Sequence, residues 1–214
     1  MKLSNFTEDR DNNFNLIRMA AAYGVLVTHS FVLATGTGAA QPLHDRLGMT
    51  LGSIAVDIFF LTSGFLVTAS LLTRQRTIEF VWARVLRVFP ALFVMLLASV
   101  FGIGLFFTSL SRFSYLTDPK LYKYFLKCLT LIGGVTYRLP GVFETTPYPN
   151  AVNGSLWTMP YELWMYAILA AIWMIWWATP KFRRKAFEVS VIAGAGWAGI
   201  YVVLAHFGIT ENRL

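Results

Sequence analysis

The sequence is short of charge. Asp, Glu, Lys and Arg make up 14% of its 214 residues while 56% are hydrophobic, against roughly 25% charged in soluble domains. That leaves too little polar surface to cover a water-soluble fold, and the hydrophobic excess needs lipid. Cysteine is nearly absent. The lone Cys128 cannot close an intrachain disulfide, and without a neighbouring Cys/His cluster it offers no zinc-ligand spacing. Acidic residues are outnumbered, giving a formal charge of +7. The basic residues sit in connectors beside apolar runs, where membrane proteins keep them, so the excess is not a nucleic-acid footprint. No Ser/Gly/Pro-rich linker and no fixed-period repeat divides residues 1–214, which read as a single membrane domain.

What is present is a series of long apolar runs. A hydrocarbon core of about 30 Å takes about 20 apolar residues as helix. Five stretches meet that length: Phe14–Ala34, Met49–Leu72, Val88–Leu110, Leu156–Ala178 and Phe187–Phe207. A sixth, Leu121–Val135, is shorter and carries Lys123 and Lys127, so it reads as an interfacial or re-entrant helix. The expected fold is all-α, a polytopic transmembrane helix bundle. The first run is expected to stay uncleaved. It is longer than a signal core, and Glu8, Asp9 and Asp11 precede it in place of a clean basic region.

Charge asymmetry orients the bundle. Connector Thr73–Arg87 carries Arg74, Arg76, Arg84 and Arg87, and Thr179–Ala186 carries Lys181, Arg183, Arg184 and Lys185, whereas Thr35–Gly48 has only Arg46. The basic loops belong to the cytoplasm, with the N-terminus inside. The longer connector Ser111–Ser155, with five basic residues of its own, then lies outside, where long loops weigh less. On this reading the short polar tail Gly208–Leu214 follows the fifth span on the outer side.

Ionisable groups inside spans cost about 2.5–3.5 kcal/mol each on insertion scales, which makes each a functional candidate. Arg18 and His29 share the first run. Eleven residues at about 100° each make three turns plus about 20°, so both lie on one face about 16 Å apart. Arg18 can also snorkel to headgroups, and His29 can also bridge helices through a hydrogen bond. Asp57 opens the stretch Ile58–Phe59–Phe60–Leu61–Thr62–Ser63–Gly64–Phe65. It is expected to face the bundle interior and to pair with Arg18 or His29. Ser63–Gly64 permits close helix packing. Arg84 and Arg87 are three apart, neighbours on a helix surface ahead of Pro90. Two guanidiniums suit phosphate, though arginines at a cytoplasmic helix entrance are also common. In Asn153–Gly154–Ser155–Leu156–Trp157–Thr158–Met159–Pro160–Tyr161–Glu162, the glutamate falls within an apolar run. The Asn153–Gly154–Ser155 glycosylation tripeptide is too frequent by chance to carry weight.

Taken together, Arg18-x10-His29, Phe59–Phe60–Leu61–Thr62–Ser63–Gly64–Phe65, Arg84-x-x-Arg87-x-x-Pro90 and Asn153–Gly154–Ser155–Leu156–Trp157-x-x-x-Tyr161–Glu162 resemble the membrane acyltransferase-3 family. They follow the family's order over residues 14–166 and match the N-terminal half of its members. The resemblance implies a bacterial inner-membrane O-acyltransferase. Its donor would be acetyl-CoA or another acyl-CoA, its acceptor a hydroxyl on a carbohydrate or lipid-linked glycan, and no metal would be needed. It implies His29 as general base or transient acyl carrier, since an imidazole near pKa 6.5 can accept an alcohol proton. Arg18, Arg84 and Arg87, with Ser63, would hold the donor. Glu162 and Asp57 would orient the base or bind acceptor hydroxyls. The rival class is a non-enzymatic transporter or scaffold subunit in which the same charges line a solute path or pair helices. The topology has its own test: cysteines introduced at Gln75 and Phe182 should react with reagents reaching the cytoplasmic face. Labelling of both solely by impermeant reagent from outside would reverse the orientation.

Overall fold

The computed structural model describes residues 13–74, 76–175 and 183–206. Among these the chain is helical, without a strand; the one β-bridge joins Thr108 to Val142. Residues 1–12 with their acidic group, the connector residues 176–182, Phe207 and the tail Gly208–Leu214 lie outside the described residues.

Helix α1 (Phe14–Thr35) is a 22-residue apolar helix. It ends where Gly36 adopts φ +74° and its N–H returns to Val32 O at 2.9 Å, a left-handed stop that glycine takes without strain. A 3-10 turn (Gly38–Ala40) and the short α2 (His44–Leu47) reverse the chain into α3 (Leu51–Arg74). The two long helices meet through small residues. Gly24 of α1 faces Ala55 and Leu51, while Thr28 faces Gly52, an antiparallel register. A Cβ on Gly52 would stand 2.9 Å from Thr28 Cγ2. The Thr28 hydroxyl donates back to Gly24 O at 3.0 Å, which satisfies it within its own helix and turns the methyl toward the partner. Between helices in lipid, where hydrophobic attraction is absent, such backbone approach supplies the association energy.

Helix α4 (Thr77–Leu97) continues without a break through a π-helical stretch (Ala98–Gly104) into α5 (Leu105–Phe107), 31 residues in all. At 1.5 Å per residue this is about 46 Å, longer than a hydrocarbon core of about 30 Å. The expected third span therefore starts eleven residues too late, and the connector Thr73–Arg87 is helical from Thr77 onward. Glu79, Arg84 and Arg87 depress the hydropathy of this stretch, but Phe80 and Val88 are both buried on one face and Arg76 donates to Glu79 at 2.6 Å. The first turns are an amphipathic helix, not a loop. Thr179–Ala186 is likewise shortened, since α9 (Arg183–His206) begins within it.

The expected helix Leu121–Val135 appears as α7 (Pro119–Thr130), preceded by α6 (Arg112–Thr117). Asp118 caps α7 by accepting the Lys120 N–H, and Pro119 opens it. Its twelve residues are too few to cross a bilayer. Leu121, Tyr124 and Cys128, at i, i+3 and i+7, are buried against Leu92, Leu96 and Val100. Burial pushes the Tyr115 phenol up to about 12 and raises the Cys128 thiol. Both are spent structurally: Tyr115 donates to Val100 O at 3.0 Å and Cys128 to Thr136 O at 3.2 Å.

The chain re-enters through a 3-10 turn (Gly154–Thr158) and α8 (Met159–Ile175), which packs on α3 and α4. Trp173 stacks edge-on against Phe187 of α9 at 5.1 Å, worth about 0.5–1.5 kcal/mol beyond burial. Four helical segments among the described residues are long and apolar enough to cross a membrane: Phe14–Thr35, Leu51–Thr73, Thr77–Phe107 and Gly154–Ile175. The expected fifth falls on α9, is not among these four, and its last residue, Phe207, lies outside the described residues. Gly52→Leu should destabilise the chain by about 1–3 kcal/mol through overpacking. Unfolding in mixed micelles measures it, and a neutral result would show that α1 and α3 do not depend on this contact.

Candidate active site

One face of α1 and one face of α3 converge on a cavity of about 340 Å³. Arg18, Ala22, Val25 and His29 line it from α1, the spacing i, i+4, i+7, i+11 that keeps side chains on one helical face. Val56, Phe59, Phe60 and Ser63 line it from α3. The third wall comes from the chain entering α8: Ser155, Trp157 and Thr158 of the 3-10 turn and Glu162 one turn into the helix. The walls are mostly apolar, with a cation, an imidazole, hydroxyls and a carboxylate set among them.

That third wall is fixed from behind. The Asn153 amide donates to Ser99 Oγ at 2.6 Å and to Tyr124 Oη at 2.9 Å, while Ser99 donates to Met95 O at 2.8 Å. One side chain thus ties α7 and the π-helical stretch to the turn carrying Ser155, Trp157 and Thr158. Loosening of the helical ladder at such π segments is frequent at functional sites.

The structure brings together four of the candidate residues, Arg18, His29, Ser63 and Glu162. Neither Arg18 nor His29 has a side-chain hydrogen bond or ion pair among the described residues, so His29 is not a helix-bridging histidine within them. The others lie elsewhere. Asp57 is exposed and outside the cavity lining; it pairs with neither Arg18 nor His29, which corrects the expectation of an interior carboxylate. Ala55 is buried against α1, and two residues further on the helix has turned about 200°, so Asp57 joins the exposed stripe of Ser53 and Leu61.

Arg84 and Arg87 also stand apart from the lining. The Arg84 guanidinium lies 5.3 Å from the Phe80 ring centroid and 5.6 Å from that of Tyr166, whereas Arg87 is exposed. Sequence reasoning overlooked Tyr166. Its hydroxyl donates to Glu162 Oε1, and the available signal was the i, i+4 spacing that puts a donor one turn from a carboxylate within an apolar run.

A base, a carboxylate and a guanidinium around an apolar-walled hollow suit chemistry in which a proton leaves one group while charge develops on another. Comparison with known proteins agrees. The acyltransferase domain model matches residues 11–212. The chain is 30% identical to Nodulation protein 10 of Rhizobium leguminosarum bv. viciae, over 94% of this chain and 53% of that protein. It is 32% identical to an O-acetyl transferase of Shigella phage Sf6, over 95% of this chain and 55% of that protein. It thus spans about half the length of the curated relatives it matches. No solved structure matches it. By the extent of the family match, and by the motifs that build the cavity, the chain belongs to the acyltransferase-3 family.

Proposed function

We propose that the cavity is an acyl-transfer site in which an acyl group, acetyl in the first instance, moves from a CoA thioester to a hydroxyl of a carbohydrate or lipid-linked glycan. The observation that carries this reading is the joint presence of Arg18 and His29 on one wall and Glu162 on another wall of a single cavity. The name of the phage relative, an O-acetyl transferase, supports a hydroxyl as the acceptor.

An alcohol is a weak nucleophile at neutral pH. In the proposed reaction His29 takes the hydroxyl proton as the oxygen attacks the thioester carbonyl. The tetrahedral intermediate then collapses, the C–S bond breaks, and the imidazolium returns the proton to the departing thiolate. Arg18 contributes a fixed positive charge for a donor phosphate, where guanidinium contacts are strong. In this reading Arg87, exposed on α4, supplies a second guanidinium for donor phosphate. The apolar walls of Val25, Val56, Phe59 and Phe60 suit the acyl end of the donor, and Ser63 offers it a hydroxyl. Glu162 has Oε2 without a hydrogen bond among the described residues and accepts from the acceptor hydroxyl or the imidazole.

The proposed setting is the bacterial inner membrane with the N-terminus in the cytoplasm. Acyl-CoA then arrives at the Arg18 end of α1. The acceptor arrives at the opposite end, where the chain from α6 to the 3-10 turn lies.

In the native chain His29→Ala should leave folding and acetyl-CoA binding largely intact while transfer falls about 10²-fold or more, the scale for loss of a general base. Transfer that survives, or a variant that does not fold, would return His29 to a structural role. Arg18→Gln should weaken acetyl-CoA binding about tenfold or more by calorimetry, and wild-type affinity should decline as salt rises. A wild-type protein with no affinity for acetyl-CoA would favour a transporter or scaffold.

A further inference from the structure

Glu162 lines the cavity, yet half of its carboxylate is already committed. Tyr166 lies one turn further along α8, on the same face, and donates its hydroxyl to Glu162 Oε1. Tyr166 is 6% exposed and sits in the cluster of Val67, Leu71, Phe80 and Val88. A hydroxyl in such surroundings is costly without a partner, and only the phenol has a proton to give to a carboxylate. The ring is held in turn: Arg84 of α4 places its guanidinium 5.6 Å from the Tyr166 centroid and 5.3 Å from that of Phe80. Arg84, Tyr166 and Glu162 therefore form a continuous series from the α4–α8 interface to the cavity wall. No other described side chain hydrogen-bonds the Glu162 carboxylate.

We propose that Tyr166 is a positioning residue, steadied by Arg84, which commits Glu162 Oε1 to the protein so that Oε2 alone is presented to the cavity. A carboxylate with both oxygens available rotates about its last bond and meets an incoming hydroxyl or imidazole N–H in several geometries. Pinning one oxygen leaves one. Arg84 thereby acts away from the cavity lining: it secures the Tyr166 ring that secures the carboxylate. The inference deepens the acyl-transfer reading of this cavity and rests on it for the kinetic arm of the test.

The experiment uses the native chain in lipid nanodiscs with acetyl-CoA as the probe. Tyr166→Phe deletes the O–H and keeps the ring, its packing and the Arg84 contact. The infrared difference between wild type and Glu162→Gln identifies the Glu162 carboxylate bands. Those bands should shift in Tyr166→Phe. Turnover of acetyl-CoA should fall about tenfold, the scale for one lost hydrogen bond to a charged group, with acetyl-CoA affinity and thermal midpoint unchanged. Arg84→Met, which keeps an unbranched flexible side chain and removes the guanidinium, should lower turnover in the same direction and by less. Bands that stay in place, or turnover that does not fall, overturn the proposal. So does a Tyr166→Phe protein whose affinity and thermal midpoint collapse together with turnover, since that is the mark of a packing residue. A wild type that neither binds nor consumes acetyl-CoA overturns the acyl-transfer reading instead, and the infrared arm still decides the assignment of Tyr166.

Discussion

The close approach of α1 and α3 at Thr28 and Gly52 is the contact on which the cavity depends. Two helices whose backbones come this near cannot rotate independently, because a small rotation would drive Thr28 Cγ2 or the Ala55 methyl into the facing backbone. Once that phase is fixed, Arg18 and His29 must share the cavity with Phe59, Phe60 and Ser63, and Asp57 must turn away. The Thr28 hydroxyl, bonded within its own helix, lets a polar residue serve as a packing surface without an unpaired donor. In lipid an unpaired donor would be the greater penalty.

The other wall is held by polar contacts instead. A tripeptide that reads at first as a glycosylation acceptor turns out to begin with a hydrogen-bonding hub. Asn153 donates to Ser99 and Tyr124, joining three elements that are distant in sequence. The partners come from a π-helical stretch and from a short amphipathic helix, neither of which crosses from one end of the bundle to the other by itself. This part-buried network adds directional contacts, which specify one arrangement where apolar packing would accept several. Its effect is to deliver Ser155, Trp157 and Thr158 to the cavity.

The charged residues divide along the same lines. Arg18 and His29 read as a pair because eleven residues return a helix to the same face. Arg84 and Arg87 read as a pair because three residues do nearly so. Only the first pair shares the cavity. Arg84 stacks on Phe80 and Tyr166 because α8 packs against that side of α4, and nothing in the spacing of one helix says which neighbour it will meet.

What the sequence by itself determined follows from quantities local to the chain. Hydropathy located Phe14–Ala34 and Met49–Leu72 to within a few residues, because a run of apolar side chains in lipid has no alternative to a helix that closes its own backbone hydrogen bonds. Helical periodicity put Arg18 and His29 on one face for the same reason. The tertiary structure decided what depends on a second element. It showed that Thr77–Arg87 is helix, since its apolar face is buried although its average hydropathy is low. It placed Asp57 outward and Glu162 inward, since the rotation of each helix is set by its partner. It showed Tyr166 donating to Glu162 with its ring packed in one cluster with Phe80 of α4, a surrounding that no single helix determines.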